Sequence, residues 1–357
     1  MSDKETFATI LFLDIMNSSE YANVLSVEEY FQTFLKEFQE TVLRTTALYF
    51  SHESSGIYNS SNYYVDIAGD EARIFLFSDN RGLDVQTALN LAVLIKMSWL
   101  TGNFNRVRIN HRKPPEDLGV GINSGYLYRK ENGKLEGFAI NLAKRIENHS
   151  RLGHSSKIMI HKISRTILDS YIKDADINMC ITIQCQSIYL PQHYFYEFTG
   201  NIELKGIAQP IPMYEVQYIN WGEMPFFMEE LFIEKLTLIS MNEFIAVLAA
   251  SRSVSVLNSM INNILMFIAI KRGMWDTVID IAKSLYENLS SIMEIPFVAG
   301  AANIIMGFED PSDMKKRLAY GKTWLEIARM IRPHASQIDA LEKILQSYYL
   351  KRHDIEM

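Results

Sequence analysis

The chain has 357 residues, of which 48% are hydrophobic and 22% are charged, and its formal net charge at pH 7 is −7. This length predicts two domains, and this composition is typical of a soluble globular protein with a sizeable core. The negative charge disfavours a general nucleic-acid binder, which needs clustered Lys and Arg for phosphate contacts.

Targeting signals and cysteines predict the compartment. The N-terminus, Met1 to Thr6, has neither the basic start nor the apolar core of a signal peptide. The longest apolar run, Val254 to Ile270, contains several Asn and Ser residues, and it is shorter than the ~20 residues that a membrane span needs. We interpret Cys180 and Cys185 as core thiols of a reducing compartment rather than as a disulfide. We therefore expect a cytoplasmic protein without a membrane span.

The first predicted element is an apolar strand, Phe7 to Leu13, which ends at the carboxylate of Asp14. Helical periodicity follows from Glu20 to about Tyr49. Ser18 or Ser19 is the expected N-cap of this helix, because Ser accepts hydrogen bonds from the free N–H groups of the first turn.

A hairpin comes next, with strands over Tyr63 to Ile67 and Ala72 to Phe77. The turn between them contains Gly69 and Asp70, and Gly accepts the positive φ that a tight hairpin turn requires. Two carboxylates at neighbouring strand ends, Asp14 and Asp70, could bridge a pair of divalent cations. The alternative is that they are two unrelated turn residues.

Strands and helices alternate up to Tyr218. The further elements expected in this part are the helices Asp84 to Leu100 (amphipathic), Phe138 to Arg151 and Ser164 to Lys173, the strands Leu118 to Tyr128 and Lys157 to His161, a polar loop over Arg106 to Asp117, and more strands from Ile181 to Tyr218. This order predicts an α+β domain of the ferredoxin-like βαββαβ type over residues 1–220. After a candidate linker, Ile219 to Phe226, the pattern predicts an all-α domain over residues 221–357, with breaks near Gly273, Pro296, Gly307 to Pro311 and Pro333.

Two further polar features could bind phosphate. Asn141 and Arg145 are four residues apart on a predicted helix and so share one face, where an amide and a guanidinium would meet charge on phosphate oxygens. Lys205 precedes Gly206 at a strand end and could reach a terminal phosphate. Taken singly, each of these residues is more often part of a solvated surface.

Together, these segments resemble the catalytic domain of the class III adenylyl and guanylyl cyclases, in order and in spacing, over about residues 6 to 218. The matching segments are Phe12-Leu13-Asp14-Ile15 and Ala68-Gly69-Asp70 for the two metal aspartates, Gly119 to Gly125 for the central strand, Asn141 to Arg145 for the Asn-x-x-x-Arg helix, and Leu204-Lys205-Gly206 for the phosphate lysine.

The resemblance implies a homodimer with two active sites at the interface and a nucleoside triphosphate as substrate. One chain would contribute Asp14, Asp70 and the Ile15 carbonyl as ligands of two divalent cations, Mg²⁺ or Mn²⁺. The same chain would bind phosphate through the backbone N–H groups of Asn17, Ser18 and Ser19. The partner would contribute Asn141, Arg145 and Lys205. The implied reaction is attack of the ribose 3′ hydroxyl on the α-phosphate, with release of pyrophosphate.

The base-selecting position departs from the better known relatives. Adenylyl cyclases have Lys and guanylyl cyclases have Glu four residues before the second metal aspartate, where this chain has Asp66. A carboxylate only accepts hydrogen bonds, and Lys134, at the partner position, could donate to a carbonyl. Tyr64 and its neighbours Tyr58 and Tyr63 could fill the space that a small base leaves. These features look more like the pyrimidine cyclases of bacterial anti-phage signalling, which favours UTP, then CTP, with guanylyl or adenylyl cyclase activity as the alternative.

Two questions stay open at this point. The helical region could be a bundle that packs on the catalytic domain, or a regulatory or dimerisation domain that gates it. The chain could also be a catalytically silent nucleotide-binding dimer whose output is a protein contact. In the enzymatic case a downstream effector would respond to the cyclic nucleotide.

Overall fold

The computed structural model describes residues 4–53, 58–59, 61–113, 115–131, 133–151, 157–175, 178–183, 185–191, 193–220 and 265–353. These residues form two compact units. The first contains the residues up to Ala175 and Tyr194–Tyr218, and the second contains chiefly the described parts of Asp176–His193 and Ser259–Met357. The domain boundary expected after residue 220 and most of the candidate linker, Ile219 to Phe226, lie outside the described residues and stay predictions.

The first unit is a mixed sheet with helices on both faces. Its strands are β1 (Lys4–Ile15), β2 (Tyr63–Ala68), β3 (Glu71–Leu76), β4 (Leu118–Arg129), β5 (Leu135–Glu136) and β6 (Ile158–His161). Two strands belong to a separate hairpin, β7 (Asn178–Ile183) and β8 (Gln186–Pro191), and the main sheet is completed by β9 (His193–Ile202) and β10 (Ile211–Asn220). The helices are α1 (Ser18–Val24), α2 (Val27–Glu29), a π-helical segment (Tyr30–Leu35), α3 (Lys36–Glu53), α4 (Arg81–Leu100), α5 (Asn103–Asn110), α6 (Phe138–Ser150) and α7 (Lys162–Ala175).

The order of strands in the main sheet is β2-β3-β1-β4-β6-β10-β9, with β5 paired to β4. The part β2-β3-β1-β4 is antiparallel throughout and has the order of a ferredoxin-like sandwich. A parallel strand, β6, extends it beyond β4, and α6 provides the crossover that a parallel pair requires. The predicted α+β class is confirmed.

Strand β1 is the centre of this sheet. It pairs with β3 on one side and with β4 on the other, and the register places Asp14 opposite Glu71 and opposite Gly119. Its residues from Ala8 to Ile15 are buried on both faces. Helix α4, expected to be amphipathic, is instead buried around nearly its whole circumference, because it lies inside the core.

Strand β4 has a row of small residues on the face that carries α6. Because side chains alternate along a strand, Gly119, Gly121 and Gly125 point to this one face. A Cβ on Gly121 would lie 2.5 Å from the Ala143 carbonyl oxygen and 2.9 Å from the Glu147 Cα. The glycines therefore allow the backbone of α6 to approach the sheet closely.

The first helical region differs from the prediction at its start. The N-cap is Asn17, which has a left-handed conformation (φ 56°) and makes no side-chain cap, so the expected cap by Ser18 or Ser19 is wrong. The Ser18 hydroxyl instead donates to Asp70. A second start follows at Ser26, whose capping box with Glu29 begins a new helix.

The predicted loop over Arg106 to Asp117 is also partly wrong, because α5 occupies its first residues. The fully buried Asn105 explains this helix. Its amide group donates to the carbonyl oxygens of Trp99 and Glu116, both at 3.0 Å, and accepts from the Glu116 N–H at 2.7 Å. Sequence reasoning favours a loop for such a polar segment, since these hydrogen bonds form only in the folded chain.

In its described residues, the second unit contains the β7–β8 hairpin and the helices α8 (Trp275–Asn288), α9 (Glu294–Glu309), α10 (Met314–Ile331) and α11 (Ser336–His353). Residues 265–271 are helical too, so the predicted all-α region is confirmed over residues 265–353. The break expected near Pro296 is confirmed: α8 ends at Asn288 and α9 begins at Glu294. The proline itself lies in the first turn of α9, where its missing N–H needs no partner.

The cysteines and the apolar helices bear on the expected compartment. Both cysteines are free, but they are exposed rather than part of the core as expected, because they lie on an outward-facing hairpin strand and its turn. Among the described residues, no helix combines the length and the apolar character that crossing a membrane would need.

We expect Gly121→Ala to destabilise the first unit by about 2–3 kcal/mol, because the new methyl group would overlap backbone atoms of α6 that cannot turn aside. Gly133→Ala is the control. A Cβ there would meet no atom within 4 Å, but its φ is +81°, so only the left-handed conformation should cost about 1 kcal/mol. Urea unfolding of both variants checks the difference, and equal losses would contradict the close packing.

We expect the stability to depend on pH through His161, a buried residue at the end of β6. Burial lowers its pKa from 6.5 to about 4. Between these values the unfolded chain binds a proton that the folded chain does not, so stability falls as the pH drops from 6.5 to 4, by up to about 3 kcal/mol. His161→Gln should flatten this part of the stability profile. His111→Gln, at an exposed position, should leave the profile as steep as in the parent protein.

Candidate active site

The two aspartates of the candidate cation site come together at one end of β1. Asp14 is opposite Glu71, the first residue of β3, and Asp70 directly precedes it in the hairpin turn. The Ile15 N–H donates to the Asp70 carbonyl oxygen at 3.3 Å, and the Ser18 hydroxyl donates to the Asp70 carboxylate. The expected meeting of the two strand ends is therefore present in the structure.

The carboxylate of Asp14 is only 6% exposed, and its two oxygens have different surroundings. Oδ2 forms an ion pair with Nη2 of Arg151 at 3.1 Å, while Oδ1 is buried without a hydrogen-bond partner. Burial raises the pKa of Asp14 to about 7; Arg151 opposes this rise, and Asp70 and Glu71 add to it. A carboxylate with one unsatisfied buried oxygen next to a second carboxylate favours a cation.

The donor set fits Mg²⁺ or Mn²⁺ better than a cation that needs a cage of protein ligands. Among the residues that the structure describes, no three or more His, Cys, Asp or Glu side chains form a group that could hold a metal ion. Mg²⁺ is usually bound through one or two carboxylates together with water and substrate phosphates. The two neighbouring carboxylates, Asp14 and Asp70, are of the kind that this pattern requires.

Glu116 holds the residues that follow β1 in place. Its carboxylate accepts hydrogen bonds from three side chains: the Tyr21 hydroxyl at 2.5 Å, Arg108 Nη2 at 2.6 Å and Asn17 Nδ2 at 3.4 Å. Arg108 also lies over the Tyr21 ring, 5.2 Å from its centroid. Glu116 therefore fixes both the left-handed Asn17 and the following helix α1. Sequence reasoning missed this role, since nothing in the sequence links residues about 100 positions apart.

A buried ion pair next to Glu116 supports the same region. Lys96 Nζ lies 2.9 Å from Asp117 Oδ1 and donates to the Leu118 carbonyl at 2.6 Å, and both charged side chains are less than 5% exposed. The Met16 N–H donates to the Asp117 carbonyl at 3.0 Å. The start of β4 thus holds the backbone next to the candidate cation site.

The predicted phosphate-binding residues form a second group, on α6 and after β9. Leu142 of α6 packs in a cluster with Leu204, Met159 and Met213. This packing brings the turn after Leu204 beside Arg145: a Cβ on Gly206 would be 3.3 Å from Arg145 Nη2. Nη1 of Arg145 is buried without a hydrogen-bond partner. Asn141 and Lys205 are exposed near this guanidinium.

The two groups lie on different flanks of α6. Toward β1 and β3, Lys144 pairs with Glu71 and Arg151 pairs with Asp14. Toward β6 and β10, Arg145 meets the turn that contains Gly206. Each predicted half of the site therefore has its contacts on its own flank of α6.

The proposed base-selecting residue has a partner that the sequence did not indicate. Asp66 of β2 is in register with Arg73 of β3, and Asp66 Oδ2 lies 3.3 Å from Arg73 Nη1. Both side chains are about one third exposed. The Nε of Arg73 is buried without a hydrogen-bond partner. The hairpin therefore presents an acceptor and several donors together, not an isolated carboxylate.

The other residues assigned to the base have mixed surroundings. Lys134 is well exposed and pairs with Glu136 at 3.1 Å. The Tyr64 ring is 46% exposed and stacks on Phe75 at 5.9 Å between centroids. Tyr58 is a core residue whose hydroxyl donates to Asp84 at 2.6 Å. Tyr63 is partly buried, with its ring 4.2 Å from that of Phe50, so Tyr64 is the most exposed of the three tyrosines.

The sequence matches no protein-family model, and a comparison with curated proteins found no match. Among solved structures, the chain is similar to the adenylyl cyclase CyaB from P. aeruginosa, with 17% identity, a TM-score of 0.42, and coverage of 60% of this chain and 96% of that chain. The guanylyl cyclase Cya2 has 16% identity and a TM-score of 0.41, with coverage of 62% of this chain and 96% of that chain. The adenylate cyclases from Trypanosoma brucei have 15% identity and a TM-score of 0.41, with coverage of 59% of this chain and 88% of that chain. These activities are properties of those proteins, and the function proposed below rests on the residues of this chain.

We expect Glu116→Ala to loosen Asn17 and helix α1, because it removes the acceptor of three side chains and takes the Glu116 carboxylate away from the largely buried Arg108. The loss should be about 2–3 kcal/mol, as for other hydrogen-bonded charges. Amide hydrogen exchange over residues 16–24 is the measurement. In the double variant with Arg108→Ala the losses should be less than additive, because the two residues share one interaction; additive losses would contradict the role given to Glu116.

Proposed function

We propose that the first unit is a nucleotidyl cyclase that converts a nucleoside triphosphate to its 3′,5′-cyclic nucleotide and pyrophosphate. The observation that carries this proposal is the meeting of Asp14 and Asp70, with one buried Asp14 oxygen unsatisfied, beside the loop that Glu116 holds. The resemblance of the surrounding motifs to class III cyclases supplies the reaction.

In this proposal each residue has its own role in an in-line attack on the α-phosphate. Asp14, Asp70 and the Ile15 carbonyl would hold two divalent cations, Mg²⁺ or Mn²⁺. When bound, such cations lower the pKa of a ribose hydroxyl and neutralise a triphosphate. The 3′ oxygen forms a bond to the α-phosphorus, the bond to the β-phosphate oxygen breaks, and the hydroxyl proton leaves to solvent.

The remaining residues act on the phosphates. In this proposal the N–H groups of Asn17, Ser18 and Ser19 bind the β- and γ-phosphates. Arg145 and Asn141 meet the charge that develops at the α-phosphate, and Lys205 binds the terminal phosphate. The unpartnered Nη1 of Arg145 supports this role, because a buried guanidinium donor favours an anionic acceptor.

The protein is proposed to be a homodimer, and the position of the two half-sites supports this. The carboxylates and Arg145 lie on different flanks of α6, so in this proposal one chain supplies the carboxylates of each site and the second chain supplies Arg145 and Lys205. A twofold dimer would then contain two equivalent sites.

The base is proposed to be a pyrimidine, with UTP favoured over CTP. Asp66 requires an N–H on the base, and Arg73 can donate to a carbonyl. Uracil offers both, with its N3–H between two carbonyl groups. The open face of Tyr64 supports a small ring, which would stack there. In this proposal the cyclic nucleotide is a second messenger of anti-phage defence that an effector protein binds, and the helical second unit regulates the dimer.

We expect the purified full-length protein to release pyrophosphate with UTP in the presence of Mn²⁺, more slowly with CTP, and least with ATP. Asp70→Asn should abolish the activity, since it removes a cation ligand. Incubation with each of the four nucleoside triphosphates, followed by chromatography of the products, is the measurement. A preference for GTP or ATP would overturn the choice of base, and tight nucleotide binding without any product would favour a silent nucleotide-binding dimer.

We expect two inactive variants, Asp70→Asn and Arg145→Ala, to restore activity when they are mixed. In a mixed dimer one site has both substitutions and the other has neither, so an equal mixture should recover about a quarter of the parent activity. As a control, Asp70→Asn mixed with Asp14→Asn should stay inactive, because both substitutions affect the same half-site. Failure of the first mixture would contradict sites shared between chains.

A further inference from the structure

Arg151, at the end of α6, contacts the candidate cation site although no motif assigns it a role. Its Nη2 lies 3.1 Å from Asp14 Oδ2. Its Nε lies 2.8 Å from Oε1 of Glu147, one helical turn earlier. Arg151 is therefore a single cation shared between two carboxylates.

The fold provides a space for this arrangement. Gly119 of β4 is directly opposite Asp14, and a Cβ there would lie 2.7 Å from the Arg151 Cγ and would overlap the Glu147 carboxylate. Glu147 is 0% exposed. Because a buried carboxylate without a partner is costly, the pair Glu147–Arg151 acts as one unit that reaches Asp14 past the glycine.

The two oxygens of Asp14 indicate what this unit does. Oδ2 is occupied by Arg151, and Oδ1 is free of hydrogen-bond partners. Divalent cations would compete for the same negative charge that pairs with Arg151. The positive charge of the guanidinium at Oδ2 therefore opposes the binding of cations to Asp14.

We propose that Arg151 is an internal counter-ion of the cation site: it holds Asp14 in place in the metal-free protein and is displaced from Oδ2 when divalent cations bind. This inference rests on the proposed function, because it concerns the same cations. Glu147 makes the displacement possible, since it keeps a carboxylate beside Arg151 after the contact with Asp14 is lost. Arg151 is in this sense a positioning residue that lowers the affinity of the site for metal.

The test is a titration of the full-length protein with Mn²⁺ in the absence of nucleotide, followed by electron paramagnetic resonance or calorimetry. Arg151→Gln should bind Mn²⁺ more tightly, on the order of tenfold, because the cation no longer replaces a charged hydrogen-bond partner. Arg151→Lys should stay close to the parent. Lys144→Gln is the matched control: it removes a charge that also acts on Asp14 but pairs with Glu71 instead, so its effect should be clearly smaller. Unchanged or weaker binding by Arg151→Gln would overturn the inference.

Thermal unfolding separates this role from a merely structural one. Without metal, Arg151→Gln should unfold at a lower temperature than the parent, and Mn²⁺ should raise its unfolding temperature by more than it raises that of the parent. An equal rise in both proteins would overturn the inference. If Arg151→Gln does not fold, Arg151→Met, which keeps more of the apolar stem, is measured with and without Mn²⁺, with the same two outcomes.

Asp14→Asn distinguishes failure of the inference from failure of the proposed function. If Asp14→Asn loses Mn²⁺ binding while Arg151→Gln binds like the parent, the cation site stands and only the role of Arg151 is wrong. If Asp14→Asn binds Mn²⁺ as well as the parent does, the cation is elsewhere, and both the proposed site and the role of Arg151 are overturned.

Discussion

Close packing of α6 on β4 is the constraint on which the candidate site depends. With glycine at positions 119, 121 and 125, the helix backbone reaches the sheet, and the side chains of one helix then extend to strands on both of its sides. Arg151 and Lys144 meet acidic residues at the end of β1 and the start of β3. Arg145 meets the turn between β9 and β10. Moving α6 outward would lengthen all these contacts, because each joins a side chain of this helix to another element.

A second constraint acts from the opposite face of the sheet. The ion pair of Lys96 and Asp117 is buried where α4 meets the start of β4. Such a pair contributes little net stability, but removing one partner is costly, so it fixes a unique arrangement of the backbone around it. Glu116 continues from this point to the loop at Asn17. The candidate cation site thus lies between two rigid supports, α6 on one face and the Lys96 network on the other.

The sequence was sufficient to predict the parts of the site that are local. The hairpin with Asp70 follows from Gly69, whose φ is +66°, and the helix that carries Asn141 and Arg145 follows from its apolar period. The long-range pairs were not predictable. Arg151 pairs with Asp14, and Arg73 pairs with Asp66 because the two residues are in register on neighbouring strands. Nothing in the sequence around either arginine distinguishes it from an arginine on a solvated surface. Helix α5 was missed because its stability comes from Asn105 hydrogen bonds made only after folding. A charged residue inside an apolar helix, such as Lys96, is the one long-range signal that sequence reasoning could have used, because burial of Lys requires an acidic partner.

The two flanks of α6 have a kinetic consequence for the proposed enzyme. If each active site is shared between two chains, as proposed, a single chain would be inert however much substrate is present, and every active unit would require an encounter between two chains. At concentrations where most chains are single, the rate of product formation would rise with the square of the protein concentration. The rate of synthesis would then depend more steeply on the amount of protein in a cell than it would for an enzyme with a complete site in each chain.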